Sequence, residues 1–271
     1  MTTRTDTTAS DTATVAATAA DIPATPPLDT SGDHIPFARL VDVELRKMVD
    51  TRAGLWMLVV MAAISVLVSA VLVIWGSPAD QTFATYLGMI FIPLTVLLPV
   101  LGIMSATQEW SHRTGLATFT LVPRRGRVLT AKAVAALALT LGLLVVAAAA
   151  SAVATAISGG TFSLTGLSLV GVVLTALLLT LQGVAFGAAL LNTPLAIVAI
   201  LVLPTVWMVL TSSISWMSDA ARWLDLTIVT EPLTEGTMTA EAWGQLATSS
   251  AVWVLLPLAI GTRRVLTREI S

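Results

Sequence analysis

The stretch Ala133–Ile157, AVAALALTLGLLVVAAAASAVATAI, decides the fold class. It carries no charged residue, and it exceeds the roughly 20 residues with which an α-helix crosses a hydrocarbon core about 30 Å thick. Five more stretches of the same kind surround it: Gly54–Trp75, Phe83–Ala106, Gly166–Leu191, Leu195–Met217 and Gln245–Gly261, none with an Asp, Glu, Lys, Arg or His. The last is the shortest and contains Pro257, so its edges are the least defined. Across all 271 residues, 56% are apolar and 11% charged, and the mean hydropathy is +0.89. Soluble domains average about 25% charged residues, and no water-soluble fold of this size hides so much apolar surface. The expectation is an all-α membrane protein with six transmembrane helices.

Residues 1–35 differ from the rest. They are rich in Thr and Asp, hold a single basic residue, Arg4, and show no apolar periodicity. Such a segment buries too little surface to offset its ordering entropy, so a disordered cytoplasmic tail is expected there. It lacks the basic start and apolar run of a secretory signal, so the tail is expected to stay on the chain. Of the 14 basic residues, all but Arg222 fall in the tail, before the first stretch, between the second and third, or after the sixth. Lys and Arg beside a span are retained on the inner face during insertion. Both termini are therefore expected to be cytoplasmic, in a multi-pass protein of the cell membrane. A formal charge of -2 suggests no polyanionic partner and hence no nucleic acid, and the absence of cysteine excludes disulfides and zinc–thiolate sites.

Two inner segments carry more than topology. Residues 36–53, PFARLVDVELRKMVDTRA, fit an amphipathic helix lying in the membrane interface. Phe37, Leu40, Val41, Leu45, Met48 and Val49 share one half of its circumference, and Arg39, Asp42, Arg46, Lys47 and Asp50 most of the other. Glu44 falls inside the apolar arc. Either it meets a basic partner from another segment, or the helix faces protein there rather than lipid. Residues 107–132, TQEWSHRTGLATFTLVPRRGRVLTAK, form the longest inner loop, beginning as a polar continuation of the second span. Its arginines could serve topology alone, but that role does not require Glu109, Trp110 and Thr114 in one short stretch. On the outer side, residues 218–244 mix acids with Trp223 and Trp243, which suggests short helices at the outer leaflet.

Several chemistries are excluded by residue type. Neither of the two lysines, Lys47 and Lys132, lies in a phosphate-cradling GxxxxGK[ST] loop, so no ATP is bound in that manner. The only histidines are His34 and His112, both outside the apolar stretches, which removes an intramembrane metalloprotease. No ionisable residue sits inside the stretches to couple transport to an ion gradient. No catalytic residue and no metal site are expected. Within the spans the polar content is mainly Gln182 with scattered Ser and Thr; Gly183 and Gly187 form a GxxxG suited to close helix packing, and Pro93, Pro99, Pro204 and Pro257 are candidate kinks.

The order of these features resembles the membrane-spanning permease subunit of type-2 ATP-binding-cassette (ABC) exporters, over about residues 37–271. The most specific part is Glu109–Trp110 with Thr114, followed by Pro123–Arg124–Arg125 and Lys132 ahead of an alanine-rich span. The run Glu44–Leu45–Arg46–Lys47 resembles that family's interfacial connecting helix. The resemblance implies a dimer, with a second permease chain of the same or a related kind, and a separate ABC ATPase subunit that carries the ATP and Mg. It implies a coupling helix near Gln108, Glu109, Trp110 and Thr114, a following loop held by Arg124, Arg125 and Arg127, and short external helices in residues 218–244. The alternative reading is a membrane subunit that binds an ATPase but transports nothing, serving assembly, immunity or sensing. An intramembrane enzyme comes third.

Overall fold

A computed structural model describes residues 35–111 and 125–267. The charge-free stretches are helices, and six helices are long and apolar enough to cross a membrane. The chain is an all-α membrane protein. Ahead of the spans lies α1 (Phe37–Asp50). The first five spans are α2 (Arg52–Trp75), α3 (Phe83–Ser111), α4 (Arg125–Ser158), α5 (Leu169–Leu190) and α6 (Thr193–Ser213). Two short helices follow, α7 (Ser215–Leu224) and α8 (Leu226–Glu235). The sixth span is built from α9 (Ala240–Ser250), a π turn over Ala251–Leu255, and α10 (Leu256–Thr267).

The break between α1 and α2 falls earlier than residue 53. Thr51 is extended (φ -79°, ψ 139°), and its hydroxyl accepts from the Gly54 N–H at 3.2 Å, capping α2. Arg52 and Ala53 therefore open the first span rather than close the amphipathic helix. Residues 107–132 are likewise not one loop. α3 continues to Ser111 and α4 starts at Arg125, so Arg125, Arg127 and Lys132 belong to the first turns of a span. Both helices outrun their apolar stretches because the charges at those ends find buried partners. The sixth span also runs beyond Gln245–Gly261, from Ala240 to Thr267. Pro257 has no N–H to offer the helix ladder, and one turn earlier the ladder widens, with Leu256 N–H bonding back to Ala251 O.

The spans alternate in direction. At one end the Gly76–Thr82 connection meets the connection after α4: the N–H of Phe83 donates to Thr161 O at 3.0 Å and that of Thr161 to Gln81 O at 3.1 Å. At that same end α8 lies over the start of α5, where Ser168 N–H donates to Thr234 O at 2.6 Å. The corner between α7 and α8 is pinned to the sixth span: the Trp253 indole N–H donates to Leu224 O at 2.5 Å and Ser249 Oγ to the same carbonyl at 3.3 Å.

The core is the seam between α3 and α5. Gly183 and Gly187 of α5 face α3, where a Cβ on Gly183 would run into Pro99 O and one on Gly187 would press on Ile103 and Ala106. Gly102 of α3 answers them, its missing Cβ making room for Thr180 O. Small residues let the two backbones approach, and dispersion along the seam then holds helices that lipid does not drive together. Thr140 of α4 and Thr180 of α5 add a hydroxyl pair 2.7 Å apart. By contrast, only 17% of the α2 and α6 spans is buried in the monomer, against 56% of α5.

Candidate functional site

At the end opposite the α8 cap, four charged side chains from three helices form a closed ring. Glu44 and Lys47 lie three residues apart on α1 and so share a face. Glu109 lies near the end of α3, and Lys132 in the second turn of α4. Lys132 Nζ lies 2.6 Å from Glu44 Oε2 and 2.6 Å from Glu109 Oε1. Lys47 Nζ lies 2.7 Å from Glu44 Oε1 and 3.3 Å from Glu109 Oε1. Each ammonium thus bridges both carboxylates, and the formal charges cancel.

Burial gives the ring its weight. Lys132 and Glu109 are each 3% exposed and Glu44 5%, whereas the Lys47 side chain is 33% exposed and stands at the mouth. Taking one such ion out of water costs several kcal/mol, which only a matched set of counter-charges offsets. Burial opposes the charged form of Lys47, but the hydrogen bond and charge of Glu44 and the charge of Glu109 outweigh it. They hold the ammonium above the usual lysine range.

Neutral contacts frame the ring. Gln108 Nε2 donates to Lys47 O at 3.2 Å, tying α3 to α1 a second time, and Ser105 Oγ donates to Lys132 O at 3.2 Å, tying α3 to α4. Val41, Leu45 and Met48 of α1 pack against the core, so this part of its apolar face meets protein. Both alternatives left open for Glu44 therefore hold: it has a basic partner from another segment, and its surroundings are protein. Farther round the same end, Arg125 Nη1 donates to Val265 O at 3.2 Å, and Arg264 Nη1 donates to Ala189 O. The starts and ends of α4, α5 and α10 are thereby cross-tied.

Of the residues singled out for coupling, Gln108 and Glu109 come together with Glu44 and Lys47. Arg125 and Arg127 sit at the start of α4, with Arg125 directed to α10. Arg46 is not part of the ring; it points outward and pairs with Asp42 at 3.2 Å. Trp110 belongs to the last turn of α3, while Thr114, Arg124 and the 1–34 tail lie outside the described residues. Gly183 and Gly187 belong to the core seam, away from this end.

The sequence reading missed Lys132 as a member of the site. It sits 88 residues from Glu44, and no spacing rule connects them. The available signal was the misfit of Glu44 in the apolar arc, which called for a buried cation.

Chemically, the ring is a joint of mutually paired charges between three helices. Its carboxylates and ammoniums are saturated by one another. Among the described residues no cluster of three or more His, Asp or Glu side chains could hold a metal. The ring fastens α1 to the facing ends of two spans. Searches against protein-family models and against characterised proteins return no match for this chain.

Proposed function

We propose that the chain is the membrane-spanning permease subunit of an ATP-driven ABC exporter. It works as a dimer with a second permease chain, in the cell membrane, with both termini cytoplasmic. A separate ABC ATPase subunit carries ATP and Mg and docks beneath residues 107–132. The observation that carries the reading is the buried Glu44–Lys47–Glu109–Lys132 ring. It joins the amphipathic helix to both flanks of the one inner segment whose Glu109, Trp110 and Thr114 resemble a coupling element. A subunit driven from outside itself needs such a rigid transmitter, because a coupling motion that deforms side chains is dissipated before it reaches the spans. The charge-free interiors of the spans support the same division of labour, since they hold no group for ion coupling.

The test is to purify the tagged chain from native membranes with its bound ATPase and measure ATP hydrolysis. Alanine at Trp110 and at Thr114 is expected to lower hydrolysis by the assembled complex without lowering the amount of chain in the membrane. Wild-type hydrolysis in both variants, or a chain that brings down no ATPase, overturns the assignment.

A further inference from the structure

At the end away from the charged ring, α3, α5, α6 and α8 enclose a cavity of about 550 Å³. Two polar atoms on its wall have no hydrogen-bond partner: Thr175 Oγ1, on a residue 3% exposed, and the buried Trp207 Nε1. Two further buried polar atoms lack a partner, the Tyr86 hydroxyl of α3 and Gln108 Oε1 beside the charged ring, but neither lies on this cavity. Most buried Ser and Thr hydroxyls elsewhere in the spans donate to the carbonyl one turn back, as Ser65 does to Met61 O at 2.9 Å and Ser151 to Ala147 O at 2.8 Å. The other indole on the cavity, that of Trp253, is satisfied by Leu224 O. An indole N–H can only donate, so whatever completes the site must bring an acceptor. Leaving such a group bare within a membrane is costly.

The cavity is two-sided. Val96 and Leu201, 50% and 45% exposed, form an apolar lip on the outer surface of the bundle. The opposite lip, from α8 and its cap, carries Asp225 and Glu231, and among the described residues no Lys or Arg lines the cavity. Asp225 Oδ1 accepts from the Thr227 and Ile228 N–H groups, which fixes its carboxylate at this lip. An anionic headgroup would meet carboxylates with no cation to offset them.

We propose that this cavity binds an amphiphile drawn from the bilayer, with an apolar chain, an ester, ether or hydroxyl oxygen for Trp207 and Thr175, and no net negative charge. The chain lies toward Val96 and Leu201, and the head toward α8. The inference does not depend on the coupling reading, since the site is at the other end of the bundle and its test contains no ATPase.

The full-length protein, reconstituted in phosphatidylcholine vesicles, is irradiated with three diazirine probes of equal chain length: a monoacylglycerol, the corresponding fatty acid at pH 8, and an alkane. The monoacylglycerol probe is expected to label peptides containing Thr175 or Trp207 saturably, and excess unlabelled monoacylglycerol to abolish that labelling. Losing the hydrogen bonds in Thr175→Val with Trp207→Phe is expected to reduce labelling by about five-fold, with the unfolding temperature not lowered, because the atoms removed have no protein partner. The fatty acid and the alkane are expected to label weakly. Equal labelling by the alkane or the acid, or adducts scattered over the exposed face of α2, overturns the proposal. Should the double variant fail to fold, competition on the wild-type chain decides alone: labelling that excess monoacylglycerol does not reduce overturns it.

Discussion

The charged ring at one end of the bundle and the cavity wall at the other treat their buried polar groups in opposite ways. At the charged end, four ionised side chains are packed together and every charge is matched, with Lys132 within 2.6 Å of both carboxylates. At the far end, a neutral hydroxyl and an indole N–H lie on a cavity wall and are matched by nothing. A matched set resists movement, because separating any member strands an ion in a poor solvent. An unmatched set waits for a partner. The contrast separates a charge-matched joint between three helices from a cavity whose wall holds unmet donors.

Removing one member of the ring gives the largest effect. Lys132→Met leaves Glu44 and Glu109 facing each other with only Lys47 between them, and is expected to cost about 3–5 kcal/mol. Thermal unfolding in detergent micelles reads this as a large fall in midpoint. A variant as stable as the parent would mean the ring is not closed.

Alkaline titration sharpens the same point. The folded state holds Lys47 above its ordinary value of 10.5, so its contribution is fully present below that pH. It is lost as the pH climbs through the raised value. Unfolding midpoints followed upward from pH 9 are expected to fall more steeply for the parent than for Lys47→Met. The effect is smaller than that of Lys132, because Lys47 stands at the solvent-facing mouth.

On the cavity side the sign differs. Thr175→Val deletes a polar atom without a partner, so stability is expected to be unchanged or to rise by up to about 1 kcal/mol. A marked loss in the same unfolding assay would show that the hydroxyl is already satisfied within the protein. Smallest is Arg46→Ala. The Arg46–Asp42 pair is exposed on both sides, and its loss is expected to change stability by less than about 0.5 kcal/mol.

The spans were legible in the sequence because hydrocarbon admits no charge, so the bare length of Ala133–Ile157 specifies a crossing helix. The helix ends were not. Glu109 and Lys132 read as loop residues, and they are helical because each finds a counter-charge across the fold. The widened turn at Ala251–Leu255 follows from Pro257, yet the sequence says only that some adjustment is needed, not which. Glu44 announced a buried partner by its place on α1, although a contact across 88 residues leaves no periodic trace. The cavity gave no signal at all. A Thr and a Trp within apolar stretches are ordinary, and it is the missing partners on one shared cavity wall that set Thr175 and Trp207 apart.

The central claim is that the ring transmits force from an ATPase to the spans, and a charge-balanced change tests it most directly. Glu109→Gln combined with Lys132→Met removes one charge of each sign and leaves the Glu44–Lys47 pair, so folding is largely spared. Measured as ATP hydrolysis by the reconstituted complex, this double variant is expected to keep its bound ATPase and lose most of its stimulation by the membrane subunit. Hydrolysis equal to that of the parent, from a complex of normal composition, would contradict the account.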